Sequence, residues 1–528
     1  MFAQQKEYDF LIKKALIFDG KSLDGFRGDV AIEKDRIVAI APYLSAKAKQ
    51  IIDAKEWVLA PGFIDAHTHS DFNPLLYPDL PNKILQGVTT EVVGNCGMSA
   101  APVLGTHRER IRGVWAREGV GIPEKTISWN SFEEYRAALE SKGMSGNFVG
   151  LIGHGNLRSA VMGFAPHQAS ESEILQMKKL LGQAMKQGAS GISFGLVYLP
   201  GIFANEEELV ALCREAARHN GVCAFHMRNE GSKLLEAIQE AIRIGQKAQA
   251  TIQISHLKAG GKANWGKIDE AFKLIESARL AGMPVEADAY PYAASFAELG
   301  VILPDAIYQR EDRVSLFKSL EKREELLETL RKHYEDRNMK WDTIMIAATP
   351  HKKYWKYEGK TIRDIARETG KSPEQFLVEI LAGTSFEVSA FSFSQSEEVV
   401  DRVIEKPYVA VGSDSIADGS RKPHPRAFGS FPKIFKRYEI EKKEIETGEA
   451  VRKMTSLVAE HFRLKERGQI KPGFFADLVL FDPKKISDQA TYEKPDLPSR
   501  GIEWVFVNGR PVVRNGKPTR IKAGRFLS

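Results

Sequence analysis

Between residues 62 and 413 the chain alternates short apolar runs with amphipathic stretches, and that alternation restricts its fold more than any other feature. Eight runs read as strands, at 62-67, 89-95, 147-153, 190-196, 222-227, 251-256, 284-289 and 408-413. Stretches at helical spacing fall between several of them, at 171-187, 206-219, 232-247 and 267-281. Such alternation favours a parallel sheet, and eight strands of this kind close into an α/β fold, a (β/α)8 TIM-like barrel. The one long break, about residues 296-400, separates strands seven and eight. It has helices of its own, at 312-335 and 361-369, and reads as an insertion at the strands' C-terminal end, where it would cover a site.

The two chain ends have another style. Residues 8 to 60 read as short strands, with a turn at Asp19-Gly20 and a hairpin over Val30 to Ile40. Ala476 to Phe481 and Trp504 to Val513 repeat the pattern around Asn508-Gly509. The expectation is a small β-sandwich domain built from 1-60 plus 465-528, and a barrel over 61-464.

Barrel chemistry sits at the strands' C-terminal ends. The first strand runs into Asp65-Ala66-His67-Thr68-His69. Side chains alternate along a strand, so His67 and His69 project to one side, as a pair suited to a divalent metal. Strand two ends in Gly94-Asn95-Cys96-Gly97, strand five in His226, strand six in His256 and strand eight in Asp414. His226 and His256 taken singly also fit buried core histidines, and Cys96 a small buried hydrophobe. Together the residues form a ligand set, and imidazole with thiolate favours zinc over magnesium or calcium. His154, after strand three, reads equally as a pocket or a structural residue. Cys213 and Cys223 read as structural.

Composition narrows the class. The 75 basic and 69 acidic residues are interspersed and leave a net charge of +6, so no nucleic-acid surface is indicated. Three cysteines in 528 residues point to a reducing compartment, and no run reaches membrane-spanning length, so a cytoplasmic protein with no membrane partner is expected. The first residues, Met1 to Asp9, lack the apolar core of a signal peptide.

The motifs PGFIDAHTHSD at 61-71, GNCG at 94-97, GHGNLR at 153-158, GLVYLPG at 195-201, FHMRNEG at 225-231, ISHLK at 254-258, DAYPY at 288-292, GSD at 412-414 and HPRAFGSF at 424-431 carry a resemblance to the amidohydrolase superfamily. Within it, the chain resembles the N-acyl-D-amino-acid deacylase (D-aminoacylase) family along nearly its whole length. The resemblance implies a tightly held zinc on Cys96, His226 and His256. It implies a second, weaker metal position on His67 and His69 that shares the cysteine, and Asp414 as general acid/base. Many amidohydrolases bridge two metals with a carboxylated lysine after strand four. Gly191-Ile192-Ser193-Phe194-Gly195 offers no lysine there, which agrees with the cysteine variant. Two departures touch the substrate pocket: Phe296 follows Tyr290 to Ser295 where a small polar run is expected, and strand four continues into Leu196-Val197-Tyr198.

The implied reaction is zinc-dependent hydrolysis of the amide of an N-acyl-D-amino acid. Asp414 would take a proton from the attacking water and pass it to the leaving nitrogen. Arg426 resembles the family's carboxylate-binding arginine, and a guanidinium fork suits a carboxylate. Lys258 would assist it. Tyr198 and Tyr290 read either as donors to the carboxylate or the oxyanion, or as packing residues with satisfied hydroxyls. Arg228 is a candidate to support His226, and His351 a candidate for the pocket lining. D-selectivity comes from the resemblance alone. Competing readings are a D-dipeptidase, a cyclic-amide hydrolase of the same superfamily, and a non-catalytic scaffold.

Overall fold

The structure is a computed structural model and describes residues 7–104, 107–117, 121–336, 339–416 and 422–528. Its centre is a sheet of eight parallel strands: β1 (Phe63–Asp65), β2 (Val88–Val93), β3 (Asn147–Gly153), β4 (Gly191–Gly195), β5 (Val222–His226), β6 (Thr251–Ile254), β7 (Val285–Ala289) and β8 (Val409–Val411). They lie side by side in chain order, with β8 pairing to β7 across the insertion. These are the eight strands expected from the sequence. β2 to β6 are buried at every residue, as strands between a filled barrel and a ring of helices must be.

Alternation along the strands sorts their side chains. Ile64, Val92, Val149, Leu151, Val222, Ala224 and Ala410 form an inner cluster. Leu457, Val458 and Phe462, in and just after the helix Ser456–His461, join it and close the barrel floor. Phe148, Ile152, Phe194, Phe225 and Ile252 belong to the outer cluster, with Leu209, Leu212, Ile238 and Ile275 from the helices. Burying each such side chain is worth about 1.5–3 kcal/mol relative to leaving it in water. The helices begin where their sequences provide caps. Ser170 and Glu173 form a capping box for Glu171–Lys186, and Asn205 caps Glu206–Arg218 through the Glu208 amide.

The barrel seam is built differently from its other joints. Among the described residues β1 and β8 share no ladder in the main sheet. Ala66 N–H donates to the Val411 carbonyl at 3.2 Å, and Asp414 N–H to the His67 carbonyl at 2.7 Å. Just beyond, Thr68–His69 runs parallel to Ser415–Ile416.

Strands from both chain ends form one further sheet. Leu478–Phe481 lies antiparallel to Val58–Pro61 and joins the C-terminal strands to those of the N-terminus. Its two wings share a core of Ile12, Ile17, Val30, Leu59, Leu478 and Phe506. The last residues leave this sheet: Phe526–Leu527 pairs with Phe148 and Val149 of β3.

The insertion has its own core, which includes Leu299, Leu330, Ile346, Phe376 and Leu381. A three-stranded antiparallel sheet links Ser295–Glu298, Ser389–Ser392 and Ile344–Ala348. The stretch read as one helix at 312-335 is two, Arg313–Lys318 and Arg323–Asp336, because Ser319 takes an extended conformation that ends the first. Glu397–Glu405 packs on β7 and β8 and serves the barrel. No helix among the described residues is long and apolar enough to cross a membrane.

Candidate active site

At the C-terminal mouth of the barrel the strand ends bring six ligand-type side chains together. His67, His69, Cys96 and Asp414 form one group, and Cys96, His226 and His256 another, with the donor atoms of each group within 4.8 Å of one another. Cys96 Sγ is 3.4 Å from both His67 Nε2 and His256 Nε2, and His256 Nε2 is 3.0 Å from His226 Nδ1. Ligands on a tetrahedral zinc, with bonds of about 2.0–2.3 Å, stand roughly 3.3–3.7 Å apart. The donor chemistry and spacing therefore fit zinc, with Cys96 able to serve both groups.

The Cys96 loop shows why its glycines are needed. Gly94 (φ +79°) and Gly97 (φ +75°) both lie in the left-handed region, and a Cβ on Gly94 would stand 2.2 Å from the Leu151 carbonyl oxygen. Cys96 itself has φ +52°, His256 φ +37° and Asp414 φ +47°, so three site residues hold backbone that L-residues rarely adopt. Ser193 of β4 fastens the loop from both sides. Its hydroxyl donates to the Gly94 carbonyl at 2.5 Å and accepts the Gly97 N–H at 3.0 Å. A Cβ on Gly195 would meet the Cys96 carbonyl oxygen at 2.0 Å, so the end of β4 has room for the cysteine loop and none for a lysine.

Carboxylates orient the imidazoles. Asp288, at the end of β7, stands 3.2 Å from His67 Nδ1, accepts the His256 amide at 2.8 Å and accepts Gln253 Nε2 at 2.7 Å. Glu230 lies 2.8 Å from His256 Nδ1 and 2.7 Å from Lys258 Nζ. Such partners fix the ring tautomer that leaves Nε2 for a metal. Burial opposes ionisation of Glu230, but Lys258 and His256 hold its carboxyl well below the usual range. Burial likewise works against a Cys96 thiolate, and the facing His67, His256 and His226 overcome it, so its thiol lies well below the ordinary value. His69 and His256 are held up at about 9, against burial, by acceptors that include Asp414 and Cys96 for the first and Glu230 and Cys96 for the second.

Asp414 faces two ways. Its Oδ1 is 3.2 Å from His69 Nε2 and its Oδ2 is 2.8 Å from Arg426 Nη1. Burial pushes the carboxyl up, but the Arg426 cation and His69 hold it well below the usual carboxylate range. Arg426 is 1% exposed and stacks over the Tyr290 ring at 4.5 Å. Its Nε and the Tyr290 hydroxyl are buried without a hydrogen-bond partner among the described residues. Burial holds the Tyr290 hydroxyl above its ordinary pKa, so it is a neutral donor. His424 sets the backbone of this arm. Its Nδ1 accepts the Arg426 N–H at 3.0 Å, and its Nε2 lies 3.0 Å from the Ala294 carbonyl. Burial and the nearby Arg426 keep it neutral, as that pair of bonds requires.

All ten sequence-derived site residues line one cavity or its floor. His69, Cys96, Tyr198, His226, His256, Lys258, Tyr290, Asp414 and Arg426 line a space of about 820 Å³, and His67 lies fully buried beneath it. Tyr198 packs edge-on to His226 at 5.0 Å. Lys258 donates to Glu230 at 2.7 Å. Arg228 lines the cavity but pairs with Glu240 at 3.0 Å and donates to the Ile202 and Ala204 carbonyls, so it braces a loop rather than His226. His351 pairs with Glu387 at 3.0 Å on the insertion and is not among the residues lining this cavity. His154 bonds Glu208 at 2.7 Å beneath the loop. Cys213 and Cys223 are buried and free. Phe296 lines the cavity, with its ring 5.4 Å from Phe391.

Sequence reasoning missed Asp288, Glu230, His424 and Lys83. The first three stand inside the motifs DAYPY, FHMRNEG and HPRAFGSF. Lys83 had no local signal. Fully buried, its ammonium donates to Asp65 at 2.6 Å, Ser413 at 2.9 Å and Ser415 at 2.7 Å, and Glu91 lies 3.3 Å away.

A barrel of this form with such a metal-ligand set defines a metal-dependent hydrolase, and the sequence profile described as the amidohydrolase family matches residues 50–302 and 321–513. The chain belongs to that family. It is 34% identical to the D-aminoacylase of Alcaligenes xylosoxydans xylosoxydans, over all of this chain and 99% of that one. It is 33% identical to the N-acyl-D-glutamate deacylase of the same organism, over 99% of this chain and 97% of that one. A crystal structure of D-aminoacylase superposes with a TM-score of 0.82 at 34% identity, covering 99% of this chain and all of that one. The N-acyl-D-glutamate deacylase of Bordetella bronchiseptica, complexed with zinc and a phosphonate inhibitor, gives 0.84 at 32% identity, over 99% of this chain and all of that one.

Proposed function

We propose that this chain is a zinc-dependent deacylase that hydrolyses N-acyl-D-amino acids to a carboxylate and a free D-amino acid. The observation that carries the reading is the convergence of Cys96, His226 and His256 beside an ionised Asp414, on the floor of a cavity whose wall holds Arg426. Zinc bound there supplies a Lewis acid for the amide carbonyl and brings the pKa of a water toward about 7. The tight ion belongs to Cys96, His226 and His256. A weaker second position uses His67, His69 and the shared cysteine. D-aminoacylase itself is described as showing one-metal activation and second-metal attenuation.

The remaining steps belong to the chain's own groups. Asp414, ionised in the resting site, accepts the proton of the attacking water and returns it to the leaving nitrogen. Arg426 and the Tyr290 hydroxyl receive the substrate's carboxylate, which gives partners to the buried Arg426 Nε and Tyr290 hydroxyl. Lys258 supports this arm while holding Glu230. Tyr198, against His226, donates to the developing oxyanion. A barrel over 61-464 carries this chemistry, and the β domain from 1-60 plus 465-528 supports it. A free cysteine as metal ligand suits a reducing compartment, and we place the enzyme in the cytoplasm.

The test is a chiral assay. The zinc-loaded protein is offered N-acetyl-D- and N-acetyl-L-methionine, leucine, phenylalanine and glutamate, and free amino acid is measured. Release from the D-forms alone is expected. Release from none of them, with zinc bound, would remove simple acyl-D-amino acids as substrates.

A further inference from the structure

The cavity has a second lobe, of about 410 Å³, entered past the cysteine. Both lobes are bordered by Cys96, Met98, Trp115, Tyr198, Glu298 and Tyr308. The larger lobe holds all three groups assigned to the substrate's carboxylate, Arg426, Tyr290 and Lys258; the smaller one holds none of them. Instead, its walls among the described residues include Met98, Ile111, Trp115, Leu199, Pro200 and Phe386. Several of its polar groups already have partners: Asn156 donates to the Ser99 carbonyl, Glu298 accepts the Tyr308 hydroxyl and Glu387 pairs with His351. Arg313 also lines it, over the Tyr308 and Phe386 rings at 5.8 and 5.5 Å, with its Nε buried and without a hydrogen-bond partner among the described residues.

We infer that this lobe receives the acyl group of the substrate, and that the preferred acyl group is a medium-length aliphatic chain rather than acetyl. The inference rests on the deacylase reading above and adds the substrate's second half. The scissile carbonyl carbon bears the acyl chain on one side and the nitrogen on the other. The nitrogen leads within one carbon to the carboxylate, so the carboxylate anchor draws the amino-acid half, side chain included, into the larger lobe. The acyl chain must leave in the other direction, past Cys96, into the second lobe. An acetyl methyl takes about the space of one water, roughly 30 Å³, and would leave nearly all of this lobe unfilled, whereas a chain of about six to eight carbons occupies roughly half of it. Each methylene moved from water into such a wall raises kcat/KM by up to about fourfold.

The experiment is an acyl-length series on one amino acid, D-leucine, with acetyl, butanoyl, hexanoyl and octanoyl substrates, on the zinc-loaded wild-type enzyme and on Gly113→Leu. Gly113 borders the smaller lobe only, and among the described residues a Cβ there would meet only Glu387 Oε1, at 3.8 Å, so a larger side chain enters the lobe without a clash with their backbone. In the wild type, kcat/KM is expected to rise at least tenfold from acetyl to hexanoyl. In Gly113→Leu the rise disappears, while a zinc content and Tm like those of the wild type show that the variant folds. A flat or falling wild-type series overturns the inference. So does a variant that leaves the series intact and instead changes the discrimination between N-acetyl-D-leucine and N-acetyl-D-alanine, because the lobe would then hold the amino-acid side chain. Failure of every substrate in the series, acetyl included, sinks the deacylase reading itself and this inference with it.

Discussion

At the scale of single residues, Asp414 is defined by two neighbours with different duties. His69 belongs to the ligand set, and Arg426 belongs to the substrate arm. Asp414→Asn keeps the shape and removes the base, so kcat should fall by a factor of about 10²–10⁴ while zinc measured by metal analysis stays bound. An Asn variant with near-wild-type kcat would move the proton transfer to another group. Arg426→Ala should act twice. Loss of a charge-assisted carboxylate contact raises KM about tenfold to a hundredfold. The same change removes the cation that keeps Asp414 ionised, so the Asp414 pKa rises and the acidic limb of kcat/KM moves to higher pH. A KM increase with an unmoved acidic limb would mean that Arg426 does not tune Asp414.

At the scale of elements, the seam between β1 and β8 is where the site is most exposed to disruption. His67 and His69 follow one strand, Asp414 ends the other, and few backbone bonds join them. Lys83 ties the two ends together from behind, through Asp65 on one side and Ser413 and Ser415 on the other. Lys83→Met leaves Asp65 and Glu91 buried without their cation. Breaking a buried pair in this way costs about 3–5 kcal/mol, so a drop in Tm and in kcat is expected, measured by thermal unfolding and by turnover. A variant with unchanged Tm would show that the seam holds without the ammonium. This lysine also marks the limit of what the sequence makes legible. The barrel strands and the helices between them were readable because apolar spacing is a local signal. So were Cys96, His226, His256 and Asp414, because each ends a strand. Lys83 meets Ser415 across 332 positions, and Asp288 meets His67 across 221. Only barrel closure brings such pairs together, so local pattern is silent about them. The insertion's sheet was unreadable for the same reason, since Ser295 pairs with Ser392.

At the scale of the whole molecule, the metal site is a clasp on strands that are far apart in the chain. His226 ends β5, and Cys96 and His256 follow β2 and β6, while the floor and the returning C-terminal tail secure the opposite end of the barrel. An ion that binds only the folded chain stabilises it by mass action, so stripping zinc should lower Tm. The gap between the two forms should depend on pH with a defined sign. Without metal, His69 and His256 are held at about 9, above the ordinary value of 6.5. A histidine raised on folding adds stability that is complete below its unfolded pKa and is lost as pH climbs through the folded one. The metal-free protein therefore loses this contribution between about pH 6.5 and 9. The zinc form carries no such protons on its ligands, and in the same window protons compete less with the ion, so zinc binds more tightly. Both effects act in one direction: the Tm difference between zinc-loaded and chelator-treated protein should widen from pH 6.5 to 8.5, and zinc uptake in weak buffer should release protons. A gap that is constant or narrows across that range would mean that these histidines are not the groups from which zinc displaces protons.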